Sequence, residues 1–377
     1  MKKFLFTALA LLLVLSVSAQ ESAKKEIKAV VGETTVVKQG SYTPSFAADG
    51  TNKKVCNVIL MIGDGMGLGA VNAAMFANGG ELTMTNLRHF GYVRTQSANN
   101  FTTDSAASGT AYATGVKTNN GFIGMDPSKK VVANIPEKLE PLGYACGVIS
   151  TDEMTGATPA AFFAHQPSRK MAAEIWADLP ASHLCFAAAG SMPGFKGQSE
   201  ATQKAINDSF KVVGSLDEVN VSDPKVVYLP ESVKYDDRGD FLPATTEKAL
   251  EFLSQKSKKG FFLMVEGARI DKESHANNCV GTVRETLDFD KAIEAAIRFA
   301  EKDGHTLVLI SADHETGAVA LRNGNPEKGH IEVSYATGSH SAISVPLFIY
   351  GPHASDFTCV QENSDISLKI VSLLGGK

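Results

Sequence analysis

Shortages in this sequence exclude several classes of function. Its 377 residues include only five cysteines, Cys56, Cys146, Cys185, Cys279 and Cys359, odd in number, widely spaced and without a CxxC pair. That pattern speaks against a disulfide framework and against cysteine metal ligands. Cys56 and Cys146 fall in apolar runs, where a free thiol behaves as a small hydrophobe. There is no basic excess: 36 Lys and Arg stand against 41 Asp and Glu, for a formal charge of −5. The electrostatic footprint of a nucleic-acid binder is therefore missing, and no such partner is expected. Internal repeats and low-complexity tracts are absent. The apolar run Phe4 to Val17 is shorter than the roughly 20 residues that span a bilayer. It follows Met1-Lys2-Lys3 and ends in Val17-Ser18-Ala19. Residues 1–19 thus read as a signal peptide cleaved near Ala19, not as a membrane anchor. No cysteine directly follows to carry a lipid, and a periplasmic or secreted protein is expected.

Residues 20–54 are polar and aperiodic and read as an N-terminal arm. From Val55 onward, short apolar runs alternate with helical patterns. The runs are Val55–Ile62, Ala145–Ser150, Phe261–Val265, Thr306–Ile310 and Ser344–Tyr350. Helical stretches are expected at Pro136–Leu142, Thr245–Ser257, Val283–Glu301 and Ser364–Leu374, with one apolar face on the third from Val283, Leu287, Ile293, Ala296, Ile297 and Ala300. Alternation of this kind predicts an α/β fold with a largely parallel sheet, formed by residues 55–377 as a single domain. The stretch 190–243, richer in Ser, Asp, Pro and Lys, is expected to be a peripheral insertion.

In open α/β sheets, ligands bind beyond the carboxyl ends of the strands. Asp64 follows the first run, Glu266, Asp271 and His275 follow the third, Asp313 and His314 follow the fourth, and His340 precedes the last. Each has an ordinary reading alone: Asp64 as a turn residue, His340 as a loop histidine, Glu266, Asp271 and His275 as solvated surface. Together on one rim, they would repel and be poorly solvated unless cations bound them. Imidazole with carboxylate suits zinc, and oxygen ligands suit magnesium. Asp271, His275 and His340 would make one site; Asp64, Asp313 and His314 would make another. Two such ions about 3.5–4 Å apart suit an in-line phosphoryl displacement, which needs a nucleophile beside them.

Thr102 to Thr110 (TTDSAASGT) enters a helix-forming stretch, Ala106–Ala113. Asp104 or Ser105 could simply cap that helix. Alternatively, Ser105 is a nucleophile at a helix end that favours anions.

These motifs, taken in order, resemble the alkaline phosphatases over most of the chain after the leader. The resemblance rests on Ile62-Gly63-Asp64-Gly65-Met66-Gly67, on Thr103-Asp104-Ser105-Ala106-Ala107-Ser108-Gly109-Thr110, and on Ser150-Thr151 with Ala157-Thr158-Pro159-Ala160-Ala161 and Ser168-Arg169-Lys170. It continues through Val265-Glu266-Gly267-Ala268-Arg269-Ile270-Asp271-Lys272 with His275, Ala312-Asp313-His314-Glu315, and His340 with Gly351-Pro352-His353-Ala354. It implies a three-layer sandwich whose large, mostly parallel central sheet is flanked by helices on both faces. It also implies hydrolysis of a broad range of phosphate monoesters through a phosphoserine on Ser105. Asp271, His275 and His340 would hold one zinc ion, Asp64, Asp313 and His314 a second, and Asp64, Thr158 and Glu266 a magnesium ion. Arg169 would grip phosphate, Asp104 would orient Arg169, and Lys272 would reach phosphate through water. A homodimer is implied as well. The alternative is a phosphodiesterase or related ester hydrolase of the same superfamily. Gly156 and Ser274 depart from the family pattern: bacterial members often carry Asp at the former, animal members His, and an acidic residue is common at the latter. Less negative charge there should weaken magnesium, leaving the third ion's identity open. The short chain between His314 and His340 implies a reduced cap over the cleft.

Overall fold

The computed structural model describes residues 28–32, 38–325 and 330–376, so the expected signal peptide lies outside the described residues. The strands in chain order are β1 (Lys28–Gly32), β2 (Asn57–Gly63), β3 (His89–Arg94), β4 (Ala145–Glu153), β5 (Phe186–Gly190), β6 (Lys211–Val213), β7 (Val226–Tyr228), β8 (Phe261–Gly267), β9 (Thr306–Ser311), β10 (Glu315–Thr316), β11 (Val319–Asn325), β12 (His330–Tyr335), β13 (His340–Ser341), β14 (Val345–Tyr350) and β15 (Val360–Glu362). Ten of them form one sheet in the order β15-β3-β14-β9-β2-β8-β4-β5-β7-β6. From β9 to β6 every pairing is parallel. β14 runs against both β9 and β3, and β15 is parallel to β3.

The central strands are continuous apolar runs because both sheet faces are covered. Every residue of β2, β8 and β9 is buried. Helices Leu68–Ala77, Phe241–Lys256 and Cys279–Asp303 pack together in one layer. Helices Ser105–Thr114, Ile135–Leu139 and Asn363–Leu373 pack together in another. The helix Cys279–Asp303 starts at Asn278, whose side chain accepts from the Gly281 N–H, and stops at left-handed Gly304. Its apolar stripe, including Val283, Leu287, Ile293 and Ile297, is buried.

Residues 190–243, expected as a peripheral insertion, contain β6 and β7, which continue the central sheet beyond β5 to its edge. Residues 38–45 of the arm lie along the helix Cys279–Asp303. Gln39 donates to the Leu287 carbonyl at 2.9 Å, the Ser45 N–H donates to Glu301 at 2.8 Å, and Tyr42 bonds Glu301. Two small antiparallel sheets complete the fold, β1-β12-β11 and β10-β13. The second sets Thr316 opposite His340.

Candidate active site and metal centres

Strand register brings distant residues to one rim. Ile62 of β2 lies opposite Ser311 of β9 and Glu266 of β8, and Glu266 lies opposite Ser150 of β4. Residues just beyond these ends therefore emerge side by side at the carboxyl edge of four neighbouring strands. The turn after β2 needs glycine. Gly65 has φ +72°, and a Cβ there would stand 2.8 Å from Thr316 Oγ1 and 2.9 Å from the Asp271 Cα.

Asp271 and His275 lie on the helix Arg269–His275, and His340 opens β13. His275 Nε2 is 3.1 Å from His340 Nε2, and Asp271 Oδ1 is 3.3 Å and 3.5 Å from the two. The opposite ring atoms are committed: His275 Nδ1 meets the Gly338 carbonyl at 2.8 Å, and His340 Nδ1 meets the Thr103 carbonyl at 2.9 Å. A carbonyl only accepts, so each Nδ1 carries the proton and each Nε2 presents a lone pair. Two lone pairs and a carboxylate facing one point repel unless a cation lies among them. His275 is exposed, while Asp271 and His340 are half-buried, so this group stands at the mouth.

The second group lies deeper. His314 Nε2 is 3.3 Å from Asp64 Oδ1 and 3.2 Å from Asp313 Oδ2. Asp313 and His314 are fully buried, and Asp64 nearly so. The Asp313 Oδ1 accepts from the Gly65 and His314 N–H groups at 3.1 and 2.9 Å, which turns its other oxygen inward. Asp64 Oδ1 and Asp313 Oδ2 are buried with no hydrogen-bond donor. The two groups adjoin, since the His314 and His340 rings stack with centroids 3.6 Å apart.

Ser105 touches this inner group. Its Oγ lies 3.1 Å from His314 Nε2 and 3.5 Å from Asp64 Oδ2. Asp104 is the N-cap, accepting from the Ala107 N–H at 2.9 Å, so the Ser105 side chain does not cap the helix and faces His314 and Asp64. Asp104 also accepts from the Gly121 N–H and lies 3.3 Å from Arg169 Nη1, which tethers a half-exposed guanidinium beside the serine.

Glu266 and Thr158 are buried at the third position, where Thr158 Oγ1 has no hydrogen-bond partner and Glu266 bonds the Ser150 hydroxyl. Lys272 forms an ion pair with Asp152.

Electrostatics set these residues against themselves. Burial, then the charges of Asp313, Asp271 and Glu266, lifts the Asp64 carboxyl well above the usual range. Asp313 is pushed up to about 6 by burial and then by Asp271, and Glu266 to about 8 by burial and then by Asp152. Burial and then His340 push the His314 imidazole well below its ordinary value. Divalent cations would relieve all four at once. Mixed imidazole and carboxylate donors in the first two groups fit zinc, and the all-oxygen set of Asp64, Thr158 and Glu266 fits magnesium.

Two participants carry no sequence signature. The Thr316 hydroxyl donates to Asp271 Oδ1 at 2.5 Å and sits 3.2 Å from His314 Nδ1, so it joins one residue from each group. Asp152 approaches Glu266 and Lys272 from the end of β4. Glu315 accepts from the Ala318 and Val319 N–H groups and from Ser341, which braces the turn into β11. The remaining histidines stay outside the site: His165, for example, pairs with Glu137 at 3.0 Å. All five cysteines are free thiols.

Known proteins resemble this chain over most of its length. The alkaline phosphatase family model matches residues 55–189 and 234–329. The chain is 30% identical to an alkaline phosphatase of Escherichia coli K12, over 90% of each chain. It is 35% identical to the solved alkaline phosphatase of the Antarctic bacterium TAB5, with a TM-score of 0.79 over 85% of this chain and 99% of that one. A TAB5 variant with magnesium bound in its M3 site superposes with a TM-score of 0.80 at 34% identity, over 87% of this chain and all of that one.

Proposed function

Since this chain belongs to the alkaline phosphatase family, and is thereby a phosphomonoesterase, we propose that it acts through a phosphoserine on Ser105, with two zinc ions and one magnesium ion as cofactors. The observation that carries the reading is the placement of Ser105 Oγ, 3.1 Å from His314 Nε2 and 3.5 Å from Asp64 Oδ2, while its neighbour Asp104 does the capping. Asp271, His275 and His340 hold one zinc; Asp64, Asp313 and His314 hold the other; Asp64, Thr158 and Glu266 hold magnesium. Bound among these donors, the ions supply positive charge that makes a serine hydroxyl and a water easier to ionise.

The chain's own groups do the rest. Ser105 Oγ attacks phosphorus as the bond to the alcohol oxygen breaks, its proton passing through solvent to the departing alkoxide; water then attacks the phosphoserine, the Ser–O–P bond breaks, and a proton returns to Ser105 as inorganic phosphate is released. Arg169 forks onto two non-bridging oxygens, a bidentate grip that favours a terminal phosphate over a diester. Asp104 keeps the guanidinium on that side, and the first N–H groups of the helix Ser105–Thr114 add partial positive charge. Lys272 reaches the phosphate through water. The outer donors are solvent-facing and the inner ones buried, which suits water entry above and serine ionisation below. The same reading includes a homodimer, a broad range of monoesters, residues 55–377 as one domain, and export after removal of residues 1–19. Among the described residues no helix is long and apolar enough to cross a membrane.

Ser105→Ala tests the nucleophile. The variant should keep its two zinc ions by mass spectrometry, yet trap no covalent phosphate when quenched in acid. Acid-stable phosphate on the variant would show that another residue is phosphorylated. Diester turnover equal to or above monoester turnover in the native enzyme would remove the monoesterase preference.

A further inference from the structure

We propose that Asp152 supplies the carboxylate that the third metal site lacks at residue 156, and that it positions Lys272 at the same time. The proposal rests on the magnesium reading given above. Gly156 carries no side chain, and on sequence grounds that should leave the site short of negative charge. The structure fills the space from elsewhere. A Cβ at residue 156 would stand 2.9 Å from Asp152 Oδ2, so the carboxylate already occupies the ground a side chain there would take. The backbone does not demand glycine, because φ −53° and ψ 144° suit any L-residue. The vacancy is room for Asp152.

Asp152 is held in that direction by two contacts. Its N–H donates to Ser150 Oγ at 2.8 Å, and the same Ser150 hydroxyl bonds Glu266. Its Oδ1 pairs with Lys272 Nζ, while Oδ2 faces Gly156. Ser150 thereby joins the Asp152 backbone to Glu266, one of the residues that would hold the third ion. Asp152 remains partly open to solvent, at 24% side-chain exposure. Magnesium keeps several of its waters, so a partly exposed carboxylate beside its ligands acts on that hydration and does not replace Thr158 or Glu266. Lys272 offsets part of the added charge and is held at the rim by the same contact. Asp152 is therefore a positioning residue, displaced by four residues in the sequence from the place its charge serves.

The test is calorimetric titration of magnesium into zinc-loaded protein, which reads binding independently of turnover. Asp152→Asn keeps the shape and should weaken magnesium about tenfold, with zinc content and Tm unchanged. Moving the carboxylate, as Asp152→Ala with Gly156→Asp, should bring affinity back to within about threefold of the native value, the scatter allowed for a relocated group. Affinity of Asp152→Asn within twofold of native would overturn the role of Asp152 and leave the third site standing. Native zinc-loaded protein that takes up no magnesium would overturn both. A double variant no tighter than Asp152→Asn would sever the link between Asp152 and the vacancy at Gly156.

Discussion

Thr316 shows how small a group can govern the site. Its hydroxyl donates to Asp271 and lies beside His314 Nδ1, so one oxygen fixes a carboxylate of the outer group and the tautomer of the inner histidine. Thr316→Val keeps the branched shape but removes the hydroxyl from both Asp271 and His314 Nδ1. Zinc affinity should drop about tenfold or more, measured by competition with a chelator, while the circular dichroism spectrum stays native. Unchanged zinc affinity would make the contact incidental. The charged members of the site were readable in the sequence, because carboxylates and imidazoles at the ends of buried apolar strands have few other uses. Thr316 and Asp152 were not. A hydroxyl two residues past a histidine has no spacing to mark it, and its role exists only once β10 pairs with β13 and Asp271 folds over Gly65. Asp152 was hidden for a similar reason, since it serves a position four residues further on.

Among the elements, the helix Cys279–Asp303 does the most structural work, and Asp290 is its buried contact with the turn Met84–Asn86. The carboxylate accepts from the Thr83 and Met84 N–H groups at 2.8 and 3.0 Å. Burial outweighs those bonds and lifts its pKa to about 6. A carboxyl raised in the folded state contributes stability that is complete below its unfolded value near 4 and is lost as pH rises through 6. Asp290→Asn cannot ionise. Between pH 4.5 and 8, chelator-treated native protein should therefore lose about 2 kcal/mol more stability than the variant, read from urea midpoints. Parallel midpoints across that range would refute the assignment. The helices were legible to within a turn: the expected Val283–Glu301 starts four residues earlier because Asn278 caps it, and Thr245–Ser257 became Phe241–Lys256. The sheet edge was harder to read. β5 is Phe-Ala-Ala-Ala-Gly, with no branched side chain to announce a strand, and β6 is three residues long. Such short strands are defined by their neighbours and not by their own composition.

At the scale of the whole molecule, the proposed ions tie the ends of β2, β8 and β9 and strand β13 into one unit. Removing them would leave Asp64, Asp313 and Glu266 buried with uncompensated charge. Chelation should lower Tm by an amount equivalent to about 4 kcal/mol when metal had been present at a thousand times its Kd, and added zinc should restore it. Identical calorimetric traces with and without chelator would argue that no ion is bound there. The sheet order has a further consequence, for the time before the protein is folded. β2 ends at residue 63, yet both of its partners come from residues 261–267 and 306–311, with Asn57 opposite Thr306. A nascent chain therefore makes its first central strand long before anything exists to pair with it. High contact order of this kind slows folding, and here the sheet cannot close until about four-fifths of the chain has been synthesised. If residues 1–19 act as the proposed leader, the closing strand would follow it late, which would leave an interval in which the polypeptide is loose enough to be threaded through a translocation channel.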